Sequence, residues 1–181
     1  ETNRETVWLQ ARFMDEGGIM EFIQTDGGRA DAGYKGSTGD CVTRAIAVAN
    51  EMDYQEVYDG LFQTAKDYLA KKNNKYSKAL KKSGCSPRNG VYQPISIAYL
   101  KMLGWKKVSS WDKETGYKVL DGKAFKKGTF ICKTRKHFTV VKDGVLYDSY
   151  DCQMTSEIRD EYGDVVAESK VRTVFHYYIK E

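Results

Sequence analysis

At Gly104 the periodicity of this chain changes, and that change restricts its fold more than any other feature. Before it, apolar residues recur every three or four positions: Ala45, Ile46, Val48 and Ala49, then Tyr54, Val57, Tyr58, Leu61, Ala65, Tyr68 and Leu69. Such spacing predicts amphipathic helices. The first runs from Cys41 to Met52. The second opens at Asp53, with Glu56 completing a start of the capping-box kind. A third, PISIAYLKMLG, carries Pro94 in its first turn and closes at Gly104. After Gly104 the segments GTFICKT, HFTVVKD, VLYDSYD and VRTVFHYYIK read as strands, with Asp143-Gly144 as a two-residue turn between the middle pair. Upstream, TVWLQARF and IMEFIQT flank MDEGG and predict a hairpin. The order predicts an α+β chain with one domain over 1–181: a hairpin at 1–26, a helical part at 41–104 and a sheet part at 105–181.

Composition narrows the function classes. The chain has 181 residues, and 41% of them are apolar, enough to bury a core. No window approaches the length of a membrane span. The opening residues ETNRETVWLQ lack the basic start and apolar run of a secretory leader. Net charge is +4, too small to argue for nucleic acid as a partner. Cys41, Cys85, Cys132 and Cys152 form no C-x-x-C pair, and with two histidines a structural zinc site is not expected. Without a secretion signal the thiols are expected to stay reduced and the protein to be cytoplasmic. The stretch 66–88, KDYLAKKNNKYSKALKKSGCSPR, is basic. It is either a solvated helix face and loop or a docking patch for an acidic partner.

One junction carries chemistry. The glycine-rich run DGGRADAGYKGSTGD ends and a helix begins at Cys41. A thiol attacks as thiolate, and the free N–H groups and positive end of a helix N-terminus favour that anion. Asp40 beside it is expected to cap the helix with its carboxylate. The nucleophile needs a base, and the base an orienter. His176 lies deep in a terminal strand among aromatics, whereas His137 opens a strand after the polar KTRK and can reach a cleft. If Asp143-Gly144 is a two-residue turn, Lys142 faces Val145 and His137 faces Tyr150. Asp148 is then a diagonal neighbour of His137, and Asp151 points to the other face. A lone cysteine at a helix start or a lone strand histidine is ordinarily structural. Correct order, element and parity together point to Cys41, His137 and Asp148 as a triad. Cys85, Cys132 and Cys152 are set aside as non-catalytic.

The segments GDCVTRAIAVAN and HFTVVKDGVLYDSYD resemble those of the papain-like cysteine peptidase superfamily. The likeness is to small papain-fold proteins of phages and bacteria, and more distantly to bacteriocin-processing peptidases and transglutaminase-like enzymes. It implies a papain-like α+β domain, a Cys41–His137 ion pair oriented by Asp148, a protein or peptide substrate, no cofactor and no metal. The family's glutamine before the cysteine is absent: six residues upstream stands Lys35. The oxyanion hole would then use the Cys41 N–H with Ser37 or Thr38. The third histidine of related cell-wall peptidases has no equivalent, which argues against a peptidoglycan hydrolase. The 27–39 loop would form one cleft wall, with Tyr34 and Trp111 as cleft aromatics.

Three functions remain open on these residues. The first is a thiol hydrolase acting on amides or thioesters. The second is an acyl or amide transferase sharing the first half-reaction. The third is an inactive papain-fold binding protein that docks through 66–88.

Overall fold

The computed structural model describes residues 18–36, 38–71, 73–83, 86–155, 158–167 and 170–180. Its organising helix is α1, Cys41–Asn50, which buries Val42, Ala45, Ile46 and Ala47. It stops earlier than the sequence predicts. Glu51 turns left-handed at φ 55°, and the N–H groups of Glu51 and Met52 return to the carbonyls of Val48 and Ala47. That reversal usually uses glycine, so a glutamate there gave no warning. Helix α2, Tyr54–Lys71, begins immediately after Asp53, as predicted, and buries Val57, Leu61 and Ala65.

Helix α3, Lys75–Ser83, lies within the basic stretch. It opens on a reciprocal cap: Ser77 N–H donates to Asn74 Oδ1 at 3.0 Å, and Asn74 N–H to Ser77 Oγ at 2.8 Å. Helix α4, Gln93–Met102, carries Pro94 in its first turn. No helix among the described residues is long and apolar enough to cross a membrane.

The remaining chain is mainly sheet. Strands β1 (Glu21–Gln24), β2 (Trp105–Ser109), β5 (Thr129–Thr134), β6 (His137–Lys142), β7 (Val145–Asp148) and β10 (His176–Lys180) form one sheet in the order β1-β7-β6-β5-β10-β2. Two small hairpins, β3 (Trp111–Asp112) with β4 (Gly116–Tyr117), and β8 (Ile158–Arg159) with β9 (Val165–Ala167), stand outside it. All pairs in the large sheet are antiparallel except β1 with β7. The α+β class holds: helices pack on a mostly antiparallel sheet.

The first arm of the hairpin expected over 1–26 lies outside the described residues, and its second arm, β1, pairs in parallel with β7. Two other features differ from expectation. The C-terminal strand is shorter than VRTVFHYYIK. Val171 and Thr173 make isolated bridges to Met154 and Val119, and the strand begins at His176. Edge strand β2 was not foreseen, because WKKVS offers only Trp105 and Val108 as apolar positions.

Alternation along β5 and β6 divides two cores. Ile131, Phe138, Val140 and Tyr178 pack with α1, α2 and α4. Cys132, Val141 and Leu146, one position away, pack with Met20, Leu120, Phe125, Cys152 and Val174 on the opposite face. Asp143 (φ 49°) and Gly144 (φ 80°) make the predicted tight turn, with Lys142 opposite Val145.

Candidate active site

The N-terminus of α1 meets the start of β6. Cys41 is partly exposed, and its thiol lies close enough to the His137 ring and the Phe138 backbone for both to act on its charge. His137 Nε2 lies 2.6 Å from Asp148 Oδ2. With Nε2 held there, Nδ1 is the nitrogen left to exchange a proton with Cys41. The three predicted residues are therefore brought together in the predicted order. Asp151 is elsewhere: its Oδ1 accepts the Gln153 N–H and amide, both at 3.1 Å.

The electrostatics favour an ion pair. Burial alone would push the Cys41 thiol up, but the hydrogen bond and charge of His137, the Phe138 N–H and nearby Arg44 outweigh it and bring it below its ordinary value. Burial likewise opposes the charged imidazole. Hydrogen bonds to Asp148, Cys152 and Cys41, with the Asp148 charge, raise His137 to about 12. Burial would raise Asp148, yet His137, Thr139 and Arg44 hold it well below the usual carboxylate range. His176, the rejected base, is held down to about 4 by burial and by Lys107 and Lys133, so it is neutral.

Asp40 does not cap the helix. It makes no side-chain hydrogen bond to the first turn. Its fully buried carboxylate accepts Arg44 Nε–H at 3.0 Å and the Tyr54 hydroxyl at 2.8 Å, with Arg29 at 3.6 Å and Arg88 at 4.0 Å. These cations remove the penalty that a bare carboxylate would impose on the neighbouring thiolate. Arg44 also donates from Nη1 to Asp148 Oδ1 at 2.9 Å, tying the helix start to the end of β7. The Ser149 N–H adds a bond to the same oxygen at 2.7 Å.

No family model, curated protein or solved structure matches this chain. What the site can do follows from its own atoms.

Two members of the site escaped the sequence reading. Arg44 is the only charge between Asp40 and Glu51 on an otherwise apolar helix, which is a usable signal. Cys152 gave none. Its buried thiol lies 3.5 Å from Asp148 Oδ2, and it also hydrogen-bonds His137. His137, Asp148 and Cys152 cluster closely enough to offer ligands to a metal ion. An ion there would have to break the 2.6 Å His137–Asp148 contact and sit beside the Arg44 guanidinium. The cluster suits a proton relay better.

The other predicted residues fall as follows. Ser37 lies outside the described residues, as does Cys85. Thr38 Oγ1 is buried with no hydrogen-bond partner among the described residues. Tyr34 is not an open cleft wall: it packs on Tyr54 and Tyr58, bonds Gln55 at 2.8 Å, and has Arg88 4.9 Å above its ring. Trp111 is 58% exposed on the β3–β4 hairpin. Neither aromatic lines the small void beside Cys41, about 10 Å³. The glycine-rich loop wraps onto α1. Asp26 accepts the N–H groups of Gly28 and Ala30, and a Cβ on Gly27 would meet the Arg44 backbone oxygen at 3.0 Å. A cavity of about 790 Å³ between this loop, Val48, Met52 and Tyr147 does not reach Cys41.

Proposed function

We propose that the protein is a thiol hydrolase of papain-like arrangement, a cysteine peptidase or amidase. The observation that carries this reading is the run of contacts from Cys41 through His137 to Asp148, closed by the 2.6 Å bond. The Cys41 thiolate attacks an amide carbonyl carbon, forming the C–S bond. The Cys41 N–H and the unpartnered Thr38 hydroxyl are the candidate donors to the oxyanion. The imidazolium of His137 gives its proton to the leaving nitrogen as the C–N bond breaks, and an acyl thioester remains. Neutral His137 then takes a proton from water, whose oxygen displaces the sulfur. Acid and thiolate–imidazolium are restored. Asp148 holds the ring and its charge throughout. The chemistry calls for no cofactor. An amine in place of that water gives the transferase reaction. The nearest setting for such a protein is the cytoplasm of a bacterium, or of one infected by phage.

A second reading, a binding protein without catalysis, is favoured by one observation: the void lined by Cys41 holds only about 10 Å³. A substrate must then approach from the solvent side of the thiol. Alkylation separates the two. At pH 6 iodoacetamide should modify Cys41 about tenfold faster than the thiols of the urea-unfolded chain, because a paired thiol stays ionised there. His137→Ala should abolish the difference. Equal rates in the native and unfolded chains would leave only the binding role.

A further inference from the structure

Next to His137 the surface carries a second feature. The β5–β6 turn is Arg135-Lys136, and Thr134 pairs with His137 across it. This turn forms one wall of a groove of about 420 Å³, with Lys170, Arg172 and exposed Phe175 among the other lining residues. No aspartate or glutamate lines it among the described residues. Arg172 is held in place, its Nε–H donating to the Met154 carbonyl at 3.2 Å. Lys136 has φ 57°, a left-handed conformation in which glycine or asparagine costs less. A lysine at a strained position beside His137 points to a use for its charge.

We propose that this groove binds acidic side chains of the substrate, so that Cys41 acts on acyl groups in Asp- or Glu-rich peptide segments. The proposal rests on the hydrolase reading for its chemistry, but binding at the groove is measured separately from it. Four cations with no ion pair among the described residues fit carboxylates, and consecutive residues are only about 3.8 Å apart, so a chain seated at Lys136 passes the His137 edge of the site. Nucleic acid fits less well. The nearby exposed rings meet edge-on, Trp111 with Tyr117 at 62° and Tyr117 with Phe175 at 75°, so they do not form the row of parallel faces on which successive bases stack.

The test is fluorescence anisotropy with a labelled hexaglutamate peptide, in parallel with iodoacetamide labelling of Cys41. Hexaglutamate should bind, weaken with salt, and slow Cys41 labelling. Arg135→Ser with Lys170→Ser should weaken binding about tenfold, at about threefold per exposed cation. Lys78→Ser with Lys82→Ser on α3 should leave it unchanged. Lys136→Gly separates charge from folding: its denaturation midpoint should match or exceed wild type while binding falls about threefold. Equal loss in the α3 variant, binding without protection of Cys41, or tighter binding of a ten-nucleotide oligo-dT would each overturn the proposal. If Cys41 shows only ordinary thiol reactivity while the groove still binds hexaglutamate, the hydrolase reading fails and the groove survives as a peptide site.

Discussion

The carboxylate at 148 does two things at once: it orients the imidazole and anchors Arg44. Asp148→Asn should therefore slow Cys41 alkylation at pH 6 by about tenfold or more, since His137 loses the charge that keeps it protonated. At pH 9, where any thiol is largely ionised, the deficit should shrink. Asp151→Asn should change neither rate by more than about twofold, because its carboxylate is turned to the Gln153 N–H and side-chain amide and not to His137. A slower Asp151 variant would mean that the triad is misassigned. Arg44→Lys tests the buried bridge. A lysine ends in a single ammonium and cannot span both carboxylates, so urea unfolding should show a loss of about 1–3 kcal/mol. The triad was legible because order, element type and strand parity are all written in the sequence. Cys152 was not, because the segment after Asp148 leaves the strand and parity no longer applies. The role of Asp40 was misread for another reason. Capping is the local preference of an aspartate before a helix, and here Arg44 on the same helix, with Arg29 and Arg88 from two other segments, outcompetes it.

Helices α2 and α4 cross at Gly60. A Cβ there would clash with the hydroxyl, Cζ and Cε2 of Tyr99. Glycine within a helix costs about 1 kcal/mol relative to alanine, so propensity alone predicts that Gly60→Ala stabilises. Packing predicts the reverse, since a buried ring cannot swing away as a surface side chain does and overpacking costs about 1–3 kcal/mol. The expected outcome is net destabilisation, read as a lower midpoint of denaturation. Pairing it with Tyr99→Phe, or with Tyr99→Leu to open space, should recover part of the loss. A stabilised Gly60→Ala would mean that the two helices can separate freely. The same competition between local signal and neighbours explains which elements were legible. The helices and β5 to β7 announced themselves by period. The β1 pairing and β2 did not, since a four-residue strand against a distant partner, or an edge with two lysines, leaves no periodic trace.

Across the molecule the buried titrating groups set a pH profile of stability. His176 is held to about 4 when folded, below its ordinary value near 6.5, so the unfolded chain binds more protons between these and stability must fall as pH drops through that span. Asp148, depressed when folded, stabilises above about pH 4, and that contribution is lost as pH falls towards its folded value. His137 runs the other way. Raised to about 12, it contributes fully below about pH 6.5 and loses its contribution as pH rises towards 12. Cys41 is depressed in the fold, so from its folded value up to about pH 8.5 the unfolded thiol holds a proton that the native thiolate has released. Over that interval one group's gain cancels the other's loss, as it must for an ion pair formed by internal proton transfer. Unfolding free energy should therefore rise from about pH 4 to 6.5 and fall beyond about 8.5, and the loss carried by His137 is offset below 8.5 wherever Cys41 is thiolate in the fold. Cys41→Ala removes one half of the cancellation while Asp148 keeps His137 charged. The alkaline decline should then begin at lower pH than in the wild type, which urea titrations at half-unit pH steps would resolve. An unchanged onset in the variant would mean that Cys41 is a neutral thiol at neutral pH, and that the proposed nucleophile is not activated in the resting fold.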